Sequence, residues 1–244
     1  MRETLVVFRR ELKSFFLSPI AYVFGILLVS VLLWYSTEPA LQNGLPASAI
    51  ALFGTLPFML ILFLPGLTMR TWAEERKLGT LELLMTFPVT IKQLVLGKFF
   101  AALAYLACVL VLTLGLPLTL GAYGKLDWPP VFGSYVASLL FSGAFLAVGM
   151  FWSSLTRDQI VAMLLSLVSL FALYQIGNPA NVEYTVYWLP SWAIDLISAV
   201  SPHRYFLSIA RGVLDTRDIV YFACFCGFFL YMNALVLHAR RMKG

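Results

Sequence analysis

Residues 130–155 read PVFGSYVASLLFSGAFLAVGMFWSSL, 26 positions without one Asp, Glu, Lys, Arg or His. A helix rises about 1.5 Å per residue, so a run of this length crosses the roughly 30 Å hydrocarbon core of a bilayer. Five more runs meet the same criterion, at 19–36, 48–69, 99–122, 159–177 and 219–237. With 61% apolar residues, 12% charged residues and a mean hydropathy of +0.87, the chain is too apolar for a soluble domain. The expected fold is therefore all-α: a membrane protein with six transmembrane helices, one transmembrane domain over residues 1–244. Cys108, Cys224 and Cys226 all fall inside apolar runs, which argues against a disulfide framework or zinc site and for small residues facing lipid or core. Arg2, Arg9, Arg10 and Lys13 interrupt the first apolar residues, so no cleaved signal segment is expected.

Cationic loops resist translocation, and that sets the expected orientation. With the N-terminus inside, the cytoplasmic segments hold Arg2, Arg9, Arg10, Lys13, Arg70, Arg76, Lys77, Lys92, Lys98, Arg157, Arg240, Arg241 and Lys243, thirteen of the seventeen Lys and Arg residues. Both termini are thus expected in the cytoplasm. Trp34, Tyr35, Tyr123, Trp128, Tyr174, Tyr187, Trp188 and Trp192 cluster where the outer interface should lie. The net charge of +5 follows from this asymmetry and calls for no nucleic-acid partner.

No ionisable residue is expected well inside a span, which argues against transport driven by a proton or sodium gradient. Sodium held by carbonyls at broken helices stays open, since Pro57, Pro65 and Pro117 either break two spans or merely kink them. His203 and His238 are the only histidines, and neither H-E-x-x-H nor G-x-S-x-G occurs. No metal site or catalytic residue is expected. The phosphate-loop pattern G-x-x-x-x-G-K-[ST] is also missing, because Gly97-Lys98 and Gly124-Lys125 lack the upstream glycine. Any nucleotide must sit on a partner.

Three segments outside the spans stand out. Residues 1–17 place Leu5, Phe8, Leu12 and Phe15 at helical spacing with Arg9, Arg10 and Lys13 on the remaining face, an interfacial helix or a basic anchor for anionic lipid. Residues 70–96 carry a charged stretch, then a short amphipathic helix expected to be capped by Thr80, to project Leu81, Leu84 and Met85 on one side, and to stop at Pro88. Residues 178–218 are too long for a plain connector. Their apolar pieces, 188–200 and 205–214, are too short to span and read as interfacial or re-entrant helices, with Phe206, Ile209, Ala210 and Val213 in one stripe. Gly143, Ala147 and Gly149 permit close helix approach, either between subunits or within one.

The run Arg76-Lys77-Leu78-Gly79-Thr80-Leu81-Glu82-Leu83-Leu84, followed by Pro88, resembles the coupling loop of ABC-2 type permeases, the membrane subunits of one class of ABC transporter. Phe8-Arg9-Arg10-Glu11-Leu12-Lys13-Ser14-Phe15-Phe16 with Ser18-Pro19 is similar to that family's interface helix. Ser153-Ser154-Leu155-Thr156-Arg157-Asp158 resembles its second cytoplasmic loop. Ser201-Pro202-His203-Arg204-Tyr205-Phe206 and Arg211-Gly212-Val213-Leu214-Asp215 resemble the segment before its final span. Within the family the likeness is greatest to the gliding-motility type of permease and its relatives.

The resemblance implies two six-span subunits, this chain with a second copy or a paralogue. Each would dock a cytoplasmic ABC ATPase that carries ATP and Mg, with no cofactor on this chain. Glu74, Glu75, Arg76, Lys77, Gly79, Thr80, Glu82, Leu83, Leu84 and Pro88, together with Arg157 and Asp158, would form the docking surface, and Arg9, Arg10, Glu11 and Lys13 the interface helix. Ser201, Pro202, Tyr205, Phe206, Arg211 and Gly212 would belong to an external lid or to a contact for a periplasmic or membrane accessory protein. The bacterial inner membrane is the implied location, and export or mechanical transmission the implied role. An ion-coupled secondary transporter and a non-transporting membrane anchor are the alternatives.

Overall fold

A computed structural model describes residues 2–43, 49–81, 89–123, 127–176, 199–212 and 215–241. In chain order its helices are α1 (Arg2–Leu17), α2 (Pro19–Asn43), α3 (Ala49–Thr68), α4 (Arg70–Lys77), α5 (Ile91–Leu112), α6 (Gly115–Tyr123), α7 (Trp128–Leu155), α8 (Gln159–Ile176), α9 (Pro202–Ala210) and α10 (Thr216–Arg241). Among the described residues no strand occurs, and six helical stretches are long and apolar enough to cross a membrane: Pro19–Thr37, Leu52–Lys77, Ile91–Ala122, Trp128–Leu155, Gln159–Ile176 and Thr216–Arg240. These are the six runs read from hydropathy.

The third departs from expectation at its start. Thr90 and Gln93 form a reciprocal capping box, the Thr90 side chain accepting from the Gln93 N–H and the Gln93 side chain from the Thr90 N–H, so the helix begins two turns before the apolar run. Lys98, expected in a loop, is consequently inside the helix, and it is buried. The prolines act differently in the two spans that hold them. Pro57 and Pro65 sit within an α3 that stays helical throughout. Pro117 has no N–H to offer the Thr113 carbonyl, which takes the Leu116 N–H at 3.3 Å instead, and the helix is interrupted at Thr113–Leu114.

The apolar core centres on α7, which packs against α3, α4, α5, α8, α9 and α10. Phe141 and Phe145 are fully buried there, and Phe141 meets Phe206 of α9 edge-on at 5.5 Å. A Cβ on Gly149 would fall 2.2 Å from Thr68 Oγ1, so only a glycine lets α7 approach the end of α3 this closely. Gly143 and Ala147 are likewise buried within this chain. By contrast α2, α8 and α10 bury 22%, 17% and 11% of their apolar windows, against 72% for the second and fourth spans, so they form the rim. Cys108 and Cys224 face outward, and Cys226 is half-buried.

Candidate functional site

Four parts of the chain that lie apart in sequence meet at one end of the bundle: α1, α4, the connection after α7 and the last turns of α10. All were expected on the cytoplasmic side. Their meeting starts from α4, which follows α3 after the single turn residue Met69. The first N–H groups of any helix need partners from outside it. Met69, at the N-cap, supplies no side-chain bond. Ser153 of α7 supplies them instead: its hydroxyl accepts from the Trp72 and Ala73 N–H groups at 3.1 and 3.2 Å and donates to the Met69 carbonyl at 3.1 Å. Arg76 adds a second tie to the same stretch, donating to the Thr156 carbonyl at 2.7 Å.

A third tie is ionic. Lys98 of α5 is 2% exposed, and its Nζ stands 2.8 Å from Glu75 Oε1 of α4 and 3.1 Å from Glu11 Oε1 of α1. Its ammonium also lies 5.1 Å from the ring centroid of the buried Trp72. One cation thus holds three helices together. Glu75, expected as a docking charge, is turned inward onto Lys98, and Glu11 of the interface helix is its counterpart. Glu74 pairs with Arg70 through two bonds of 2.6 and 2.8 Å, and Arg70 also donates to Ser18 Oγ at 3.0 Å. Lys98 was counted among the cytoplasmic cations and Ser153 opens the stretch likened to the second cytoplasmic loop, but neither was assigned a role in the site. Each is an unremarkable residue at the edge of an apolar run, and its partners are remote in the chain.

The exposed part of the segment is narrow. Lys77, Leu78, Gly79 and Thr80 face outward, with Leu78 68% exposed at an otherwise polar end. Gly79 ends α4 at φ +70°, the left-handed conformation open to glycine, and its N–H bonds the Arg76 carbonyl at 3.3 Å. Thr80 is itself helical, and its hydroxyl donates back to the Glu75 carbonyl at 3.2 Å, tying the turn to α4. Leu81 is buried in this chain's core and does not project. Glu82, Leu83, Leu84, Met85 and Pro88 lie outside the described residues.

Arg157 and Asp158 are exposed beside this end. Asp158 Oδ1 accepts from the Ile160 N–H at 2.9 Å, the geometry of an N-cap for α8. Arg240 of α10 donates to the Leu155 carbonyl at 3.1 Å. On α1, Arg9, Arg10 and Lys13 are exposed, as read from the sequence, and of the apolar stripe Leu12 and Phe15 pack against the core while Leu5 does not. Leu5 is 49% exposed, whereas Val7 is pressed against Gly97 and Phe15 stacks on Tyr105 at 5.5 Å. The reason is that α1 packs on α5, so its buried face is the one that carries Glu11 to Lys98.

At the opposite end, Ser201 caps α9 by accepting from the His203 N–H at 3.3 Å, and Pro202 takes the first helical position. Tyr205 stacks on Tyr221 at 3.9 Å, Phe206 is buried, Arg211 is exposed and Gly212 turns the chain at φ +87° against Pro129 and Pro130. His203 packs edge-on to Tyr174 at 4.6 Å, and burial holds its imidazole below the usual histidine range. Residues 188–198 of the first external piece, with Trp188 and Trp192, lie outside the described residues, as do Tyr187 and Val213. Trp34, Tyr35 and Trp128 are exposed.

Among the described residues, no group of three or more His, Cys, Asp or Glu is placed to hold a metal. Residues 77–80 thus continue from an α4 that follows directly on α3 and is tied to α5, α7 and, through Lys98, to α1. A family model described as ABC-2 family transporter protein matches residues 66–235. That stretch contains α4, Lys98, Ser153 and the exposed turn and leaves out α2 and α1, with Glu11. No curated protein matches the chain.

Proposed function

The chain belongs to the ABC-2 transporter family, and from that membership we propose that residues 77–80 and the segment that follows them dock a separate cytoplasmic ABC ATPase. As a family member it is a membrane-spanning permease of an ABC transporter, a multi-pass membrane subunit rather than the enzyme. ATP and Mg then belong to the ATPase, and this chain converts the ATPase's rigid-body motion into movement of its spans. Two such permeases, identical or paralogous, pair in the bacterial inner membrane with both termini cytoplasmic. The complex exports a substrate or transmits force to an external partner through the α9 region, in the manner of the gliding-motility type it resembles.

The observation that carries this reading is the contrast within one short segment. Its tip is exposed and presents Leu78, while its root is held by Ser153, Arg76 and the buried Lys98 cluster. A loop built only for connection has no need of three ties. A gradient-driven transporter would need no docking surface here, and a passive anchor would tolerate any change in it.

Co-purification with the co-expressed ATPase tests the proposal. Leu78→Asp combined with Lys77→Glu changes two exposed side chains of the tip and leaves the Gly79 turn and the clamp intact. The ATPase should travel with the wild type and be lost from this variant while its thermal stability in detergent is retained. Equal recovery with both would move the docking surface elsewhere.

A further inference from the structure

Between the end of α1, the start of α2 and the root of α4 lies an open cavity of about 430 Å³. Arg10, Lys13 and Arg70 line it together with the hydroxyls of Ser14 and Ser18. Among the described lining residues there is no carboxylate, and Glu74 is turned onto Arg70. Arg10 and Lys13 are exposed and have no described ion pair; Arg10 also lies in the field of Glu75, so Lys13 is the less compensated of the two cations that line the cavity. Lysine and arginine gathered with hydroxyls suit a phosphate, which takes charge-assisted bonds from each.

The level of this cavity in the membrane identifies the source of the phosphate. Leu17 and Pro19 complete its lining, and Pro19 is where the first span begins. Directly beyond it the outward face of α2 is apolar, with Tyr22, Val23, Ile26 and Leu27 all exposed. That face needs acyl chains, so the cavity sits at headgroup depth. We propose that it is a binding site for the phosphate of an anionic glycerophospholipid, held by Arg10, Lys13, Ser14 and Ser18 beside Arg70. This inference rests on the membrane-spanning fold alone and holds whether or not an ATPase docks at residues 77–80. Its consequence is specific: the lipid would touch α4 itself at Arg70, whose guanidinium also donates to Ser18 and Glu74.

Native mass spectrometry of the full chain, released from an equimolar mixture of phosphatidylglycerol and phosphatidylcholine, tests the site. The wild type should retain phosphatidylglycerol preferentially, and Arg10→Ala with Lys13→Ala should lower that preference roughly tenfold. Ser14→Asp, at an exposed position, should do the same by placing a carboxylate in the cavity. Arg9→Ala with Lys92→Ala removes two exposed cations that do not line it and should leave the preference unchanged. An equal fall in that control would show a general field of positive charge and overturn the site, as would unaltered retention by the cavity variants. Displacement of the lipid by millimolar inorganic phosphate would assign the cavity to a soluble phosphate instead.

Discussion

Removing the Lys98 ammonium would leave the carboxylates of Glu11 and Glu75 facing one another with no cation between them. Lys98→Met is therefore expected to cost about 3 kcal/mol, because an uncompensated buried charge is worse than none. Adding Glu11→Gln and Glu75→Gln should recover most of that loss, and thermal unfolding in detergent reads both. At the other end His203 provides a pH signature. Its folded pKa lies below the ordinary 6.5, so the neutral imidazole is the form the fold prefers. Stability should be complete above pH 6.5 and decline as the pH falls from there towards the folded value. His203→Phe should lose less between pH 7.5 and 5 than the wild type, about the same at both ends. Only part of this was legible in the sequence. The cations of α1 and the acidic run at 74–75 were visible, but Lys98 borders a hydrophobic window, and a one-dimensional reading counts it with the loop. Which charge turns inward depends on contacts between residues far apart in the chain.

Helices were the most legible level, since six apolar runs need only length and composition to be read as spans. What the runs do not encode is how their ends are tied. Ser153 is a small polar residue closing an apolar stretch, and nothing local marks it as a cap for a helix that precedes it by a third of the chain. Ser153→Ala should destabilise by about 1–2 kcal/mol, the usual cost of losing a cap, and should weaken ATPase coupling more than expression. Gly149→Val would drive a side chain into Thr68 and should cost about 1–3 kcal/mol, seen as a lowered unfolding temperature. The face of α1 was legible only in part for a related reason. Its amphipathic pattern indicates a buried side, but α5 and not lipid takes that side, so Val7 and Glu11 are inside and Leu5 is out.

In the whole molecule, α1, α4, the connection after α7 and the end of α10 gather at one end, and the capped α9 packs near the start of α7. The lysine and arginine bias of the sequence had already put the first group on one side of the membrane, and the packing agrees with it. The central claim concerns what touches that end. A photoreactive residue introduced at Leu78 of the permease, co-expressed with the proposed partner ATPase, tests it most directly, with Trp34 as the control on the far side. Crosslinking to the ATPase from position 78 and not from position 34 is the result the account predicts. An ATPase that co-purifies yet crosslinks to neither would contradict it.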